Sequence, residues 1–135
     1  MASPVSEPPV LAHPPRLRRT LRSFGYAFEG LATLLRTQPN FVVHVALASL
    51  AVLVGLILRL SPTEMAIVVL TIGLVLVVES FNTALETLCD LVSPGVHPLI
   101  KRAKDISAAA VLLSAVAAVV VAALLFLPRL ASMLK

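Results

Sequence analysis

The chain has no tryptophan, one tyrosine (Tyr26) and one cysteine (Cys89) in 135 residues. A lone thiol excludes an internal disulfide, and without His or Cys neighbours it gives no zinc signature, so Cys89 reads as a small apolar residue inside a helix. Charge is also scarce. Asp, Glu, Lys and Arg make up 13% of the chain against 59% hydrophobic residues, a balance outside the ordinary soluble class. The five glycines form no glycine-rich loop and no G-x-x-x-x-G-K-[ST] run exists, so any nucleotide site is unlike the common ones. Basic residues outnumber acidic ones by 11 to 7, but they lie where the chain would flank a bilayer, which favours a phospholipid surface over nucleic acid.

What is present is apolar sequence in long runs. Residues 1–15 hold half of the prolines and no hydrophobic periodicity, and are expected to form a disordered or extended tail. A cleaved signal peptide is not expected, because no apolar core or small-x-small site follows promptly. From Arg16 to Thr37, Leu17, Leu21, Phe24, Phe28, Leu31 and Leu35 recur at three and four residues, and Arg16, Arg18, Arg19 and Arg22 crowd the start. That pattern predicts an amphipathic surface helix, lying on the membrane or packed on the rest of the protein. Gln38-Pro39-Asn40 breaks it.

Three membrane spans follow, at about 41–60, 64–91 and 106–127, giving an all-α integral-membrane fold. Ser61-Pro62-Thr63-Glu64 has the pattern of a capping box with proline at the first helical position. Ser93-Pro94-Gly95 stops the second span, a basic link runs through His97, Lys101, Arg102 and Lys104, and Pro128 ends the third span. Small residues Ala103, Ser107, Ala110, Ser114 and Ala117 offer a flat face on the third span for contact with the second span or with another subunit. With three spans, eight basic residues (Arg16, Arg18, Arg19, Arg22, Arg36, Lys101, Arg102, Lys104) share one side and three (Arg59, Arg129, Lys135) the other. The positive-inside rule then puts the N-terminus in the cytoplasm and the C-terminus on the other side of the membrane.

Against this background the run from Glu79 to Asp90 is anomalous. At 100° per residue Glu79, Asn82, Glu86 and Asp90 share an arc of roughly 80° on one helix face. Glu79 comes roughly 21 Å along the apolar helix and Asp90 roughly 16 Å further, so the stripe descends from lipid to water on the cytoplasmic side. Carboxylates at membrane depth are costly unless paired, and a divalent cation is the obvious partner. Such acids beside Lys101, Arg102 and Lys104 suit phosphate transfer to a lipid, which needs positioning and charge neutralisation more than covalent chemistry. Glu79, the deepest, is placed to take the proton of a lipid hydroxyl. Taken singly, Asp105 is equally suited to cap the third span, Asn82 to bond across helices, and His44 to a snorkelling or hydrogen-bonded role near the start of the first.

The segment ESFNTALETLCD followed by AKDISAAAVLL closely resembles the paired signature of the prokaryotic diacylglycerol kinase family of small membrane lipid kinases. The resemblance runs from about Arg19 to Leu127 through SFGYAFEGL, TQPNFVVH and SPGVHPL, and is nearer to the undecaprenol kinase branch. It implies a homotrimer with active sites shared between protomers, phosphorylating undecaprenol or diacylglycerol with Mg2+ and ATP. It further implies Glu79 as catalytic base, Asn82 as an orienting group, Glu86 as a metal ligand and Asp90 as support. Lys104 and Asp105, with Arg19, Tyr26, Gly95 and His97, would contact the nucleotide. One departure is Gln38, where the family often has a second metal-binding glutamate; a glutamine carbonyl can bind magnesium but brings no charge.

Two other functions fit parts of this pattern. A small oligomeric proton or cation transporter could use Glu79 as a carrier, although the basic loop and one-sided stripe argue against it. A catalytically inactive scaffold is suggested by Gln38 alone.

Overall fold

The structure, a computed structural model, describes residues 16–93, 95 and 97–133, with 16–19 as backbone only. The proline-rich tail, Pro94, Val96 and the last two residues lie outside the described residues. Four helices account for nearly everything else: α1 (Arg16–Thr37), α2 (Pro39–Ile57), α3 (Pro62–Val92) and α4 (Pro98–Met133), with no strand among the described residues. The chain divides into two units, one ending at Ala32 and one beginning at Thr33. In the first, α1 carries Leu21, Phe24 and Phe28 exposed at helical spacing.

The second unit holds the three helices long and apolar enough to cross a membrane. Gln38 breaks the helix with extended backbone (φ −116°, ψ 98°), and Pro39 starts α2 where its missing N–H is no loss. At its far end α2 closes in a Schellman turn, Arg59 N donating to Leu56 O at 3.1 Å and Leu60 N to Gly55 O at 3.0 Å. The left-handed position of that turn (φ 53°) is taken by Arg59 rather than by glycine. A Cβ at Gly55 would lie 2.9 Å from Met65 Cε and 3.2 Å from Leu60 Cδ1, the ends of two flexible side chains that pack over this position. The tight turn folds Leu60 and the start of α3 back over it.

α3 opens with the expected capping box, Glu64 N donating to Ser61 Oγ at 3.3 Å and Ser61 N to Glu64 Oε2 at 2.7 Å. α3 and α4 pack along one another, and α2 packs on α3. Along α3 the buried line is Val68, Val75, Glu79, Asn82 and Cys89. Ser114 of α4 is buried and Ser107 bonds to α3, while Ala110 and Ala117 of the same small-residue set are exposed. Cys89 sits in the helix interior, buried and without a disulfide.

Two boundaries differ from expectation. The basic link before the third span is helical from Pro98, eight residues ahead of Ile106. The apolar run marks where lipid begins, not where the helix does. Pro98 supplies a pre-set first turn, His97 Nδ1 accepts from Leu99 N at 3.3 Å, and Lys101 pairs with Asp105 one turn on. Asp105 is therefore inside α4 and does not cap it. Nor does Pro128 end the helix, which continues to Met133. Proline removes one bond to the preceding turn, but Arg129 ties the last turns to Glu64 of α3.

Candidate active site

The 31 residues of α3 and 36 of α4 would reach about 46 and 54 Å, well past a hydrocarbon core of roughly 30 Å. The surplus carries the polar residues. Down α3, Glu79 is buried to 2% and Asn82 to 8% relative exposure, Glu86 is half-buried and Asp90 exposed. The helical spacing thus becomes a gradient of burial in the order in which the residues occur.

α4 meets this gradient at two points. Lys104 Nζ lies 2.8 Å from Asp90 Oδ1, and Ser107 Oγ donates to Asn82 Oδ1 at 2.7 Å. Asn82 in turn donates from Nδ2 to Glu86 Oε1 at 3.4 Å, one turn along its own helix. Asn82, Glu86, Asp90 and Lys104 are thereby joined across the α3–α4 seam. Glu79, at the buried end, belongs to none of the three ion pairs among the described residues. A carboxylate so buried is costly without a partner, which marks it as a functional candidate.

Asp105, His97, Gly95 and Gln38 share no hydrogen bond or ion pair with the stripe residues of that seam among the described residues. Asp105 pairs with Lys101, one of the basic residues expected beside the stripe, at the i, i+4 spacing of a helical ion pair. His97 caps the first turn of α4, and the exposed Gly95 accepts from Ser93 Oγ at 3.4 Å. Gln38 is half-buried where α2 begins, its Nε2 donating to Thr37 Oγ1 at 3.4 Å. Tyr26 lies on α1 in the first unit, exposed; the Arg19 side chain is outside the described residues. Ser107 was legible only as a small contact residue, because nothing in its spacing says that it meets Asn82, 25 positions earlier.

No three His, Cys, Asp or Glu side chains come together among the described residues, so these residues form no all-protein metal cage. The donors present do fit magnesium, which keeps few protein ligands and fills its shell with substrate phosphate and water. Glu86 presents one oxygen bonded to Asn82 and a second with no partner among the described residues.

Beyond Glu79 toward the opposite membrane face, α2, α3 and α4 enclose an apolar groove of about 260 Å³. His44, Val68, Thr71, Val75, Ala118 and Phe126 are among its lining residues. Val75 is one helical turn from Glu79 on the same buried line, so the groove's lining stops about a turn short of the buried carboxylate.

Known proteins share this pattern. The chain is 39% identical over 118 residues to the undecaprenol kinase of Bacillus subtilis (strain 168), covering 87% of this chain and 96% of that one. It is 42% identical over 115 residues to a diacylglycerol kinase of Synechocystis sp., covering 84% and 66% of the two chains. With a diacylglycerol kinase of Pseudomonas aeruginosa it shares 36% identity over 94 residues, 70% of this chain and 76% of the relative. Residues 25–126, which include α2, α3 and the seam residues of α4, match the family described as prokaryotic diacylglycerol kinase. The chain belongs to that family.

Proposed function

We propose that this protein is a lipid kinase of the bacterial inner membrane, transferring the γ-phosphate of ATP to the hydroxyl of undecaprenol. The carrying observation is the α3–α4 seam, in which a buried Glu79 is followed by Asn82, Glu86, Asp90 and Lys104 toward the helix ends. Undecaprenol is favoured because the relative with that activity is matched over nearly its whole length. Diacylglycerol is the second reading, supported by the higher identity to the Synechocystis enzyme.

In this mechanism the lipid chain lies in the apolar groove and brings its hydroxyl to Glu79. Glu79 accepts the hydroxyl proton as the oxygen attacks the γ-phosphorus, and the β–γ bridging bond breaks to leave ADP. Asn82 holds Glu86 in place, Asp90 holds Lys104, and the Lys104 ammonium offsets charge on the phosphates. Glu86, with Gln38, would hold Mg2+, whose contribution when bound is to neutralise the phosphate oxygens. Asp105, Arg19, Tyr26, Gly95 and His97 complete the nucleotide site in this reading.

The active assembly in this reading is a homotrimer, with α1 on the cytoplasmic surface, its apolar residues among acyl chains and its arginines among headgroups. Transport by Glu79 is disfavoured, since the polar stripe opens toward one side only. The decisive experiment is a side-by-side assay of purified protein with Mg-ATP on undecaprenol and on diacylglycerol. Preferential labelling of undecaprenol is expected. Preference for diacylglycerol would select the second reading, and labelling of neither lipid would sink both.

A further inference from the structure

We propose that Ser107 is a positioning residue, which fixes the orientation of the Asn82 side-chain amide and, through it, of the Glu86 carboxylate. The inference rests on the lipid-kinase reading and adds to it a residue on a different helix from the acidic stripe.

An asparagine amide has two chemically opposite ends. An ionised Glu86 can only accept, so the amide must turn Nδ2 toward it, as it does at 3.4 Å. That choice sends Oδ1 the other way, into a position where Asn82 is 8% exposed. A carbonyl oxygen buried there needs a donor, and the Ser107 hydroxyl at 2.7 Å supplies one. Ser107 Oγ also lies 2.9 Å from Lys104 O. Its single proton is better spent on Asn82, because the Lys104 carbonyl is inside α4, where the helix provides a backbone donor.

The placement of Ser107 is itself over-determined. Lys104, three residues earlier on α4, is anchored to Asp90 of α3 at 2.8 Å, which fixes the register of the two helices one turn away. Without Ser107, Asn82 Oδ1 loses its donor, and the amide is free to rotate in search of another. The grip on Glu86 then weakens although neither Asn82 nor Glu86 has been changed.

The test compares Ser107→Ala, Ser107→Thr, Asn82→Ala and the double variant Ser107→Ala/Asn82→Ala in lipid nanodiscs. Ser107→Ala is expected to lower kcat about tenfold, with KM for lipid near wild type and thermal stability reduced only by the one buried hydrogen bond it loses. Ser107→Thr, which keeps the hydroxyl, should restore most of the rate. In the Asn82→Ala background the loss of Ser107 should cost nothing further, because its route of action is gone.

A direct readout is available because Asn40 and Asn82 are the only two asparagines in the chain. With [15N]asparagine labelling, one side-chain amide signal should move in Ser107→Ala and return in Ser107→Thr. Full activity in Ser107→Ala, losses that multiply in the double variant, or unmoved amide signals would overturn the role of Ser107 while leaving the kinase reading intact. A wild-type protein inactive on any lipid would overturn the reading itself, and with it the catalytic purpose of Ser107.

Discussion

Arg129, near the end of α4, closes on Glu64, in the first turn of α3, with Nη2 at 2.9 Å from Oε2 and 3.2 Å from Oε1. The same carboxylate accepts from Ser61 N at 2.7 Å, so one side chain both caps α3 and ties it to α4. Replacing Glu64 with Ala should therefore lower thermal stability more than Arg129→Ala, which leaves the cap in place. Both side chains are partly solvated, at 42% for Arg129 and 25% for Glu64, and solvent screening keeps the ion-pair part small. Turnover of the surviving protein should stay within about twofold, since surface ties away from a site rarely reach it. Melting curves and rates of the two variants check this.

Glu79→Gln should fold, because the replacement is nearly isosteric in a site buried to 2%, yet lose about a hundredfold or more in kcat, as befits a general base. Lipid phosphorylation at saturating substrate is the measurement. Wild-type turnover in this variant would mean that the proton leaves by another route.

Lys104→Met should raise KM for ATP by roughly tenfold or more, given the share of phosphate binding that a single lysine carries. Asp90→Asn should act in the same direction but more weakly, since it only frees Lys104 from its 2.8 Å tether. If the two variants affected the lipid KM instead, the lysine would be serving the acceptor and not the nucleotide.

Gln38→Glu adds a carboxylate where this chain has a neutral amide. The Mg2+ concentration giving half-maximal rate should fall several-fold, because ligand charge strengthens cation binding. An unchanged magnesium profile would remove Gln38 from the metal site.

Arg59→Gly should stabilise the protein by about 1 kcal/mol, as the left-handed backbone penalty borne by arginine exceeds what glycine loses in unfolded-state freedom. Denaturation in detergent would show it, with kinase activity unchanged.

What could be read in advance depended on how far apart the interacting residues lie in the chain. The Ser61–Glu64 cap is a three-residue pattern with a single geometric solution, and the four stripe residues need only the pitch of a helix. The basic link before Ile106 and Pro128 misled for a local reason: hydropathy reports the slab of lipid, and a helix can begin in water and outrun a proline when side chains hold its ends. The contacts Ser107–Asn82 and Arg129–Glu64 span 25 and 65 positions. The small-residue spacing marked the face of α4 that carries Ser107, but which α3 residue each side chain meets depends on the axial register of the two helices, which no periodicity within α4 encodes.

The two ties between α3 and α4 are nearly equidistant along both helices. Glu64 to Asp90 and Arg129 to Lys104 both measure about 38 Å, some 8 Å more than a typical hydrocarbon core. Ionic groups at both limits resist being drawn into hydrocarbon, so the pair behaves as a gauge of fixed length set across the bilayer. The thickness of the surrounding lipid then governs how deep Glu79 sits. Under the proposed mechanism, a membrane that thins or thickens by a few ångströms would move that carboxylate relative to the lipid hydroxyl, so acyl-chain length is expected to change the rate without touching a single residue of the protein.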